Sequence, residues 1–182
     1  MSQDLPHLIW VDCEMTGLDI NKDALVEIAV LVTDAQLNVL GEGVDLVIKC
    51  DQRKLDSMQQ VVIDMHTNSG LINEIPNGTT LEAADDAIIS YLKKYAPSEG
   101  KSPLAGNSVY VDRAFITRDL PKLNAYLHYR TIDVSTIKEL ARRWHPKTYF
   151  AAPAKSGNHR ALGDIRDSIA ELDYYRSAIF LP

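Results

Sequence analysis

Asp12 and Glu14 in IWVDCEMTGL, Asp112 in GNSVYVDRAFI, and His159 with Asp164 in HRALGDI stand inside otherwise apolar segments. Carboxylates in such surroundings need a partner, because an unpaired charge away from water is too costly to keep. Asp12 and Glu14 are two apart on a stretch that reads as a strand, so their side chains share a face. Two negative charges about 4 Å apart repel by ~4 kcal/mol at an effective dielectric of about 20, so the pair calls for a cation or a proton between them. A set of oxygen ligands favours Mg²⁺ or Mn²⁺ and leaves positions open for water and a substrate phosphate. The chemistry that such a set suits is cleavage of a phosphodiester.

Each residue also has an ordinary reading. The Asp12–Glu14 pair fits the solvent face of a strand. Asp112 and Asp164 fit first-turn helix acids, favoured by the macrodipole by ~0.3–1 kcal/mol. His159 alone fits a polar surface residue. All of them together, in these contexts, point to one site.

The elements that must position them follow from the apolar pattern. Leu8–Val11, Leu25–Thr33 and Val44–Lys49 read as strands, with a turn at Asp34–Asn38, which suggests an antiparallel meander. Thr79 with Glu82 three residues on forms a capping-box pattern ahead of LEAADDAIISYLKKYA, a helix that stops at Pro97. Leu104–Asn107 reads as a short strand, Val109–Asp119 as a helix ended by Pro121, and Ile132–Val134 as another strand. Ser135 then caps TIKELARRW, which Pro146 terminates. Ile165, Ile169, Leu172, Tyr175 and Ile179 make the apolar stripe of a final helix. The segment His145–Asn158, with Pro146, Pro153 and Gly157, reads as a loop bordering the site. Strands first, then strands alternating with helices, imply an α/β fold with a mixed sheet covered by helices.

Composition narrows the function. The 182 residues fit one domain, and no apolar run approaches the length that spans a bilayer. The N-terminus carries no signal or transit pattern, and Cys13 and Cys50 make neither a disulfide framework nor a thiolate metal site. A reducing cytoplasm fits. Cys13 reads as a small buried hydrophobe. The net charge of −6 argues against an extended grip on long nucleic acid but leaves room for short anionic substrates held through bound cations.

IWVDCEMTGL, GNSVYVDRAFI, HYRTIDVSTIKELARRW and HRALGDIRDSIAEL closely resemble the oligoribonucleases, members of the DEDDh 3′→5′ exonuclease superfamily. The resemblance runs from about Leu8 to Phe180, and the HYR…DVSTIKELARRW block is its most specific part. It implies a single exonuclease domain over residues 1–182 with a ribonuclease-H-like mixed five-stranded sheet. It also implies a homodimer that trims very short single-stranded RNA, dinucleotides above all, to 5′-mononucleotides. By motif match, Asp12, Glu14, Asp112 and Asp164 should hold two Mg²⁺ or Mn²⁺ ions, with His159 as general base. Ser108, Ser135, and Tyr129 with Arg130 from the second subunit should cap the 5′ phosphate. Leu18 resembles the apolar wedge between the two bases, and His66 a base-side contact; as an ordinary residue His66 reads equally well as a cap or surface histidine. Many relatives carry Trp where this chain has Val61, a departure that touches stacking and not the metal ligands.

The rival readings are a DEDDh exonuclease acting on DNA, which would share the five catalytic residues, and a silent module that binds short nucleotides. No GxGxxG follows a strand, which speaks against hydride transfer.

Overall fold

The computed structural model describes residues 5–154 and 160–180. Its strands are β1 (Leu8–Met15), β2 (Leu25–Thr33), β3 (Val39–Val47), β4 (Leu104–Gly106) and β5 (Thr131–Asp133), in the sheet order β3-β2-β1-β4-β5. β3, β2 and β1 form the expected antiparallel meander, while β1, β4 and β5 run parallel. The mixed sheet expected from the pattern is therefore present.

The two-residue period of β1 sorts its side chains onto opposite layers. Ile9, Val11, Cys13 and Met15 pack with the layer of α4 (Leu81–Tyr95), α5 (Tyr110–Asp119) and α6 (Pro121–Tyr126). Leu8 and Trp10 pack instead with α7 (Val134–Trp144) and α9 (Ala161–Ile179). Asp12 and Glu14 continue this second face, where α9 carries Asp164. β2 is buried along its whole length, as a central strand covered on both faces should be.

Several elements depart from the sequence reading. β1 runs on through the acidic pair to Met15, and β3 begins at Val39 rather than Val44. The N-cap of α4 is Thr80, whose hydroxyl accepts from the Ala83 N–H at 3.2 Å. Thr79 is not free to cap. Its N–H donates to the Val47 carbonyl and its carbonyl accepts from Lys49, in a bridge beside Ile48. Ser135 does not cap α7 either: Asp133 does, its carboxylate accepting from the Ser135 N–H at 2.9 Å. Short helices at Gln52–Asp56 (α1), Gln60–Asn68 (α2), Leu71–Glu74 (α3) and Pro146–Phe150 (α8), together with α6, were not foreseen. The 145–158 segment is thus helical in its first part.

Candidate active site

The C-terminal ends of the parallel strands β1, β4 and β5 converge on one edge of the sheet, where open α/β sheets place their ligands. β1 delivers Asp12 and Glu14 there, with a register break between Glu14 and Met15. Such irregularities re-aim side chains beside sites. β4 leads through Asn107 and Ser108 into α5, whose first turn holds Asp112. The first turn of α9 brings Asp164.

Carboxylate oxygens of Asp12, Glu14 and Asp164 lie within 4.8 Å of one another. Burial pushes the Asp12 carboxyl well above its usual range, with the charges of Asp112, Asp164 and Glu14 adding to the effect. Glu14 is pushed up to about 8, first by burial and then by Glu27 and Asp164. Asp112 rises to about 6 through burial, against the Cys13 thiol and backbone N–H groups that favour its anion. A set of all-oxygen donors that repel one another and resist ionisation is what a divalent cation relieves. The residues fit such an ion.

The sign of the resulting pH dependence follows from Glu14. Its folded-state value of about 8 lies above the ordinary 4.5, so the folded chain holds this proton more tightly than the unfolded chain does. The stability from this group is complete below 4.5 and is lost as pH rises through about 8. In EDTA the thermal midpoint should fall across that window. Added Mg²⁺ should raise the midpoint most at its alkaline end. A midpoint that climbs with pH in EDTA would contradict the site's electrostatics.

The remaining candidates fall into separate groups. Ser108 adopts a left-handed backbone (φ 51°), unusual for a residue with a side chain. Its hydroxyl lies 3.1 Å from that of Ser135, which donates to Asn107 Oδ1 at 3.0 Å. The Asn107 amide in turn donates to Ser168 and Glu171 on α9. Ser108 and Ser135 line one cavity of about 490 Å³ with Asp133, Thr136 and Arg143. The backbone N–H groups of Ser108 and Ser135 both donate to Asp133 Oδ1.

Leu18 is 75% exposed on a loop organised by Asp23, which accepts from Thr16 Oγ1 and the Asp19 N–H. A Cβ at Gly17 would meet that carboxylate at 2.4 Å, so a side chain there would have to displace Asp23. Leu18 and Val61 face the same cavity of about 510 Å³. His66 is fully buried under Glu14 and is no surface residue. Its Nε2–H donates to the Met15 carbonyl at 2.9 Å, and Nδ1 lies 4.0 Å from the Glu14 carboxylate. Tyr129 and Arg130 are exposed, with the guanidinium 5.4 Å above the Tyr129 ring. They precede β5 whereas Ser135 follows it, a strand of about 10 Å apart. His159 lies outside the described residues.

Glu27 escaped the sequence reading. It stands opposite Glu14 on β2, fully buried and bonded to the start of α9. A lone glutamate within the apolar run LVEIAVLVT was the available signal.

The exonuclease family model matches residues 9–172. The oligoribonuclease of Streptomyces griseus is 57% identical over 176 residues, covering 97% of this chain and 88% of that protein. The chain belongs to the oligoribonuclease family. Oligoribonucleases of Streptomyces avermitilis (58% identical, 97% of this chain and 88% of that protein) and Cutibacterium acnes (54%, 96% and 87%) agree. Membership makes this oligoribonuclease-family chain a nuclease, a hydrolase of the 3′→5′ exoribonuclease kind. The zinc-bound form of E. coli exonuclease I with single-stranded DNA superposes with a TM-score of 0.73 at 18% identity. That match covers 96% of this chain, which spans 41% of the exonuclease I chain, and it identifies the ribonuclease-H-like fold. No helix among the described residues of this oligoribonuclease-family chain is long and apolar enough to cross a membrane.

Proposed function

We propose that this chain hydrolyses very short RNA, dinucleotides above all, to 5′-mononucleotides by a two-metal mechanism with His159 as general base. The observation that carries the reading is the clustering of the Asp12, Glu14 and Asp164 carboxylates, held in contact despite burial and mutual repulsion. With Asp112 they would hold two Mg²⁺ or Mn²⁺ ions. When bound, such a pair stabilises both the attacking and the leaving oxygen of an in-line displacement.

The chain's own groups do the rest. His159, neutral near pH 7, takes a proton from the attacking water, whose oxygen bonds to phosphorus as the bond to the 3′ oxygen breaks. The proton balance closes when the released 3′ oxygen is protonated from solvent. Arg160, next to His159 in sequence, bonds to Glu27, whose charge acts on Glu14, and this supports the histidine's assignment to the same site.

Length selection rests on the other groups. Ser108 and Ser135 meet hydroxyl to hydroxyl at the strand ends and offer the 5′ phosphate a hydrogen-bonding surface. Their cavity also contains Asp133 and Glu139, and Arg143 is paired to Glu139, so an incoming phosphate needs another cation. Arg130 of a second copy, stacked on Tyr129, supplies it in a homodimer, because within one chain it lies at the far end of β5. Leu18 wedges between the two bases, and Val61 widens the cavity where many relatives carry Trp. His66 acts from beneath, as support for Glu14 and Met15. The cellular role is the last step of RNA decay and the turnover of linear dinucleotides, in the cytoplasm.

The test is a cleavage time course on 5′-phosphorylated RNA as a dinucleotide, a five-mer and a twenty-mer, with matched DNA, in Mg²⁺ and in EDTA. Metal-dependent conversion of the dinucleotide, far faster than the rest, is expected. Equal or faster cutting of long DNA would move the chain to the general exonucleases, and bound but uncut dinucleotide would make it a binding module.

A further inference from the structure

We propose that Glu27 is a positioning residue for the metal centre, and that with Arg160 it pins the first turn of α9 so that Asp164 meets Asp12 and Glu14. This rests on the metal reading above. The first N–H groups of a helix have no partner within it and need an outside acceptor. Arg160 at the N-cap of α9 has extended backbone (φ −127°, ψ 126°) and contributes no side-chain cap. The cap comes from another element. Glu27 Oε2 accepts from the Ala161 N–H at 3.1 Å, and Oε1 accepts from Arg160 Nε at 2.7 Å. The other Arg160 nitrogens fork onto both oxygens of Glu74, at 2.8 and 3.1 Å.

The geometry gives this tie its consequence. Glu27 stands directly across from Glu14 in the β1–β2 register. Ala161 lies three residues before Asp164, about 4.5 Å along the helix axis. One carboxylate therefore joins the strand position opposite one ligand to the helical turn that bears another. Both of its oxygens are engaged in doing so, and the compact carboxylate group comprises Asp12, Glu14 and Asp164 without Glu27.

Stability alone does not account for the arrangement. A buried ion pair is commonly replaced by apolar residues of similar volume at no loss of stability. Outer partners that orient metal ligands, by contrast, change metal affinity when they are removed.

That contrast defines the test. The double variant Glu27→Met/Arg160→Met keeps the net charge and approximate volume but removes both cap and tie. Glu27→Gln/Arg160→Gln also keeps the charge and can still accept from Ala161. Mn²⁺ binding is measured by calorimetry without substrate, and folding by thermal unfolding. The Met pair should fold and bind Mn²⁺ about tenfold or more weakly, the size typical of losing an outer partner, while the Gln pair stays within that limit. A folded Met pair with a smaller loss overturns the proposal, as does an equal loss in the Gln pair. Should the Met pair not fold, Glu27→Gln/Arg160→Met, which leaves no unpaired charge in the buried Glu27 position and keeps an acceptor for Ala161, is read at the same threshold. Absence of Mn²⁺ binding by the unaltered chain would instead remove the metal reading itself.

Discussion

Replacing Asp12 by alanine is expected to abolish metal binding and turnover together while making the metal-free chain more stable. Asp12 shares with Glu14 and Asp164 a space in which carboxylate oxygens approach within 4.8 Å. Burial and four neighbouring acids already push its carboxyl well above the usual range. On the proposed reading, alanine removes an oxygen ligand, and Glu27 is not free to replace it because it is committed to Arg160 and Ala161. Ions held as proposed would contribute several kcal/mol of transition-state stabilisation, so turnover should fall on the order of 10³-fold or more. The thermal midpoint in EDTA should rise, because one of the mutually repelling acids is gone, and the shift on adding Mg²⁺ should shrink or vanish. Such a trade between stability and activity is expected where a site is held under electrostatic strain. Calorimetric Mn²⁺ binding, thermal unfolding with and without Mg²⁺, and dinucleotide turnover make the check. Unchanged affinity and turnover would sink the assignment of Asp12.

The second large effect separates proton transfer from metal binding. His159→Ala should cost on the order of 10²–10⁴ in turnover, the usual contribution of a positioned general base. Mn²⁺ affinity should remain near that of the unaltered chain, because the proposed ligand set is made of carboxylates and does not include His159. The pH profile supplies an independent reading. In the unaltered chain the acid limb of the rate should include the deprotonation of the imidazole base. That component should disappear in the variant, leaving the limb set by the carboxylates. A variant that loses metal affinity in step with turnover would make His159 a structural or ligand residue instead.

Much of the architecture was legible because period and burial coincide. The meander was legible as Leu8–Val11, Leu25–Thr33 and Val44–Lys49 around the Asp34–Asn38 turn, although β1 runs on to Met15 and β3 starts at Val39. α9 is visible in its apolar stripe. The short helices α1, α2, α3 and α8 were not, since pieces of four to nine residues offer too few turns for a period to emerge. The caps of α4 and α7 fell one and two residues from the expected threonine and serine. At both helix starts a long-range demand won: the bridge to Val47 occupies Thr79, and Asn107 takes the Ser135 hydroxyl.

The candidates for the reactive groups were named by the sequence. Asp12, Glu14, Asp112, His159 and Asp164 announce themselves because acids and a histidine interrupt apolar segments, and the two-residue spacing of the first pair puts both on one face of a strand. Which acids are placed together was decided by tertiary structure alone. Glu27 is more deeply buried than Glu14 and stands opposite it, yet its oxygens are taken by Arg160 and by the first N–H of α9. His66, equally plausible in sequence as a surface group, is enclosed beneath Glu14. The reason is physical: charge and periodicity are local properties of a chain, whereas the partner that satisfies a buried polar group comes from wherever folding brings the chain back.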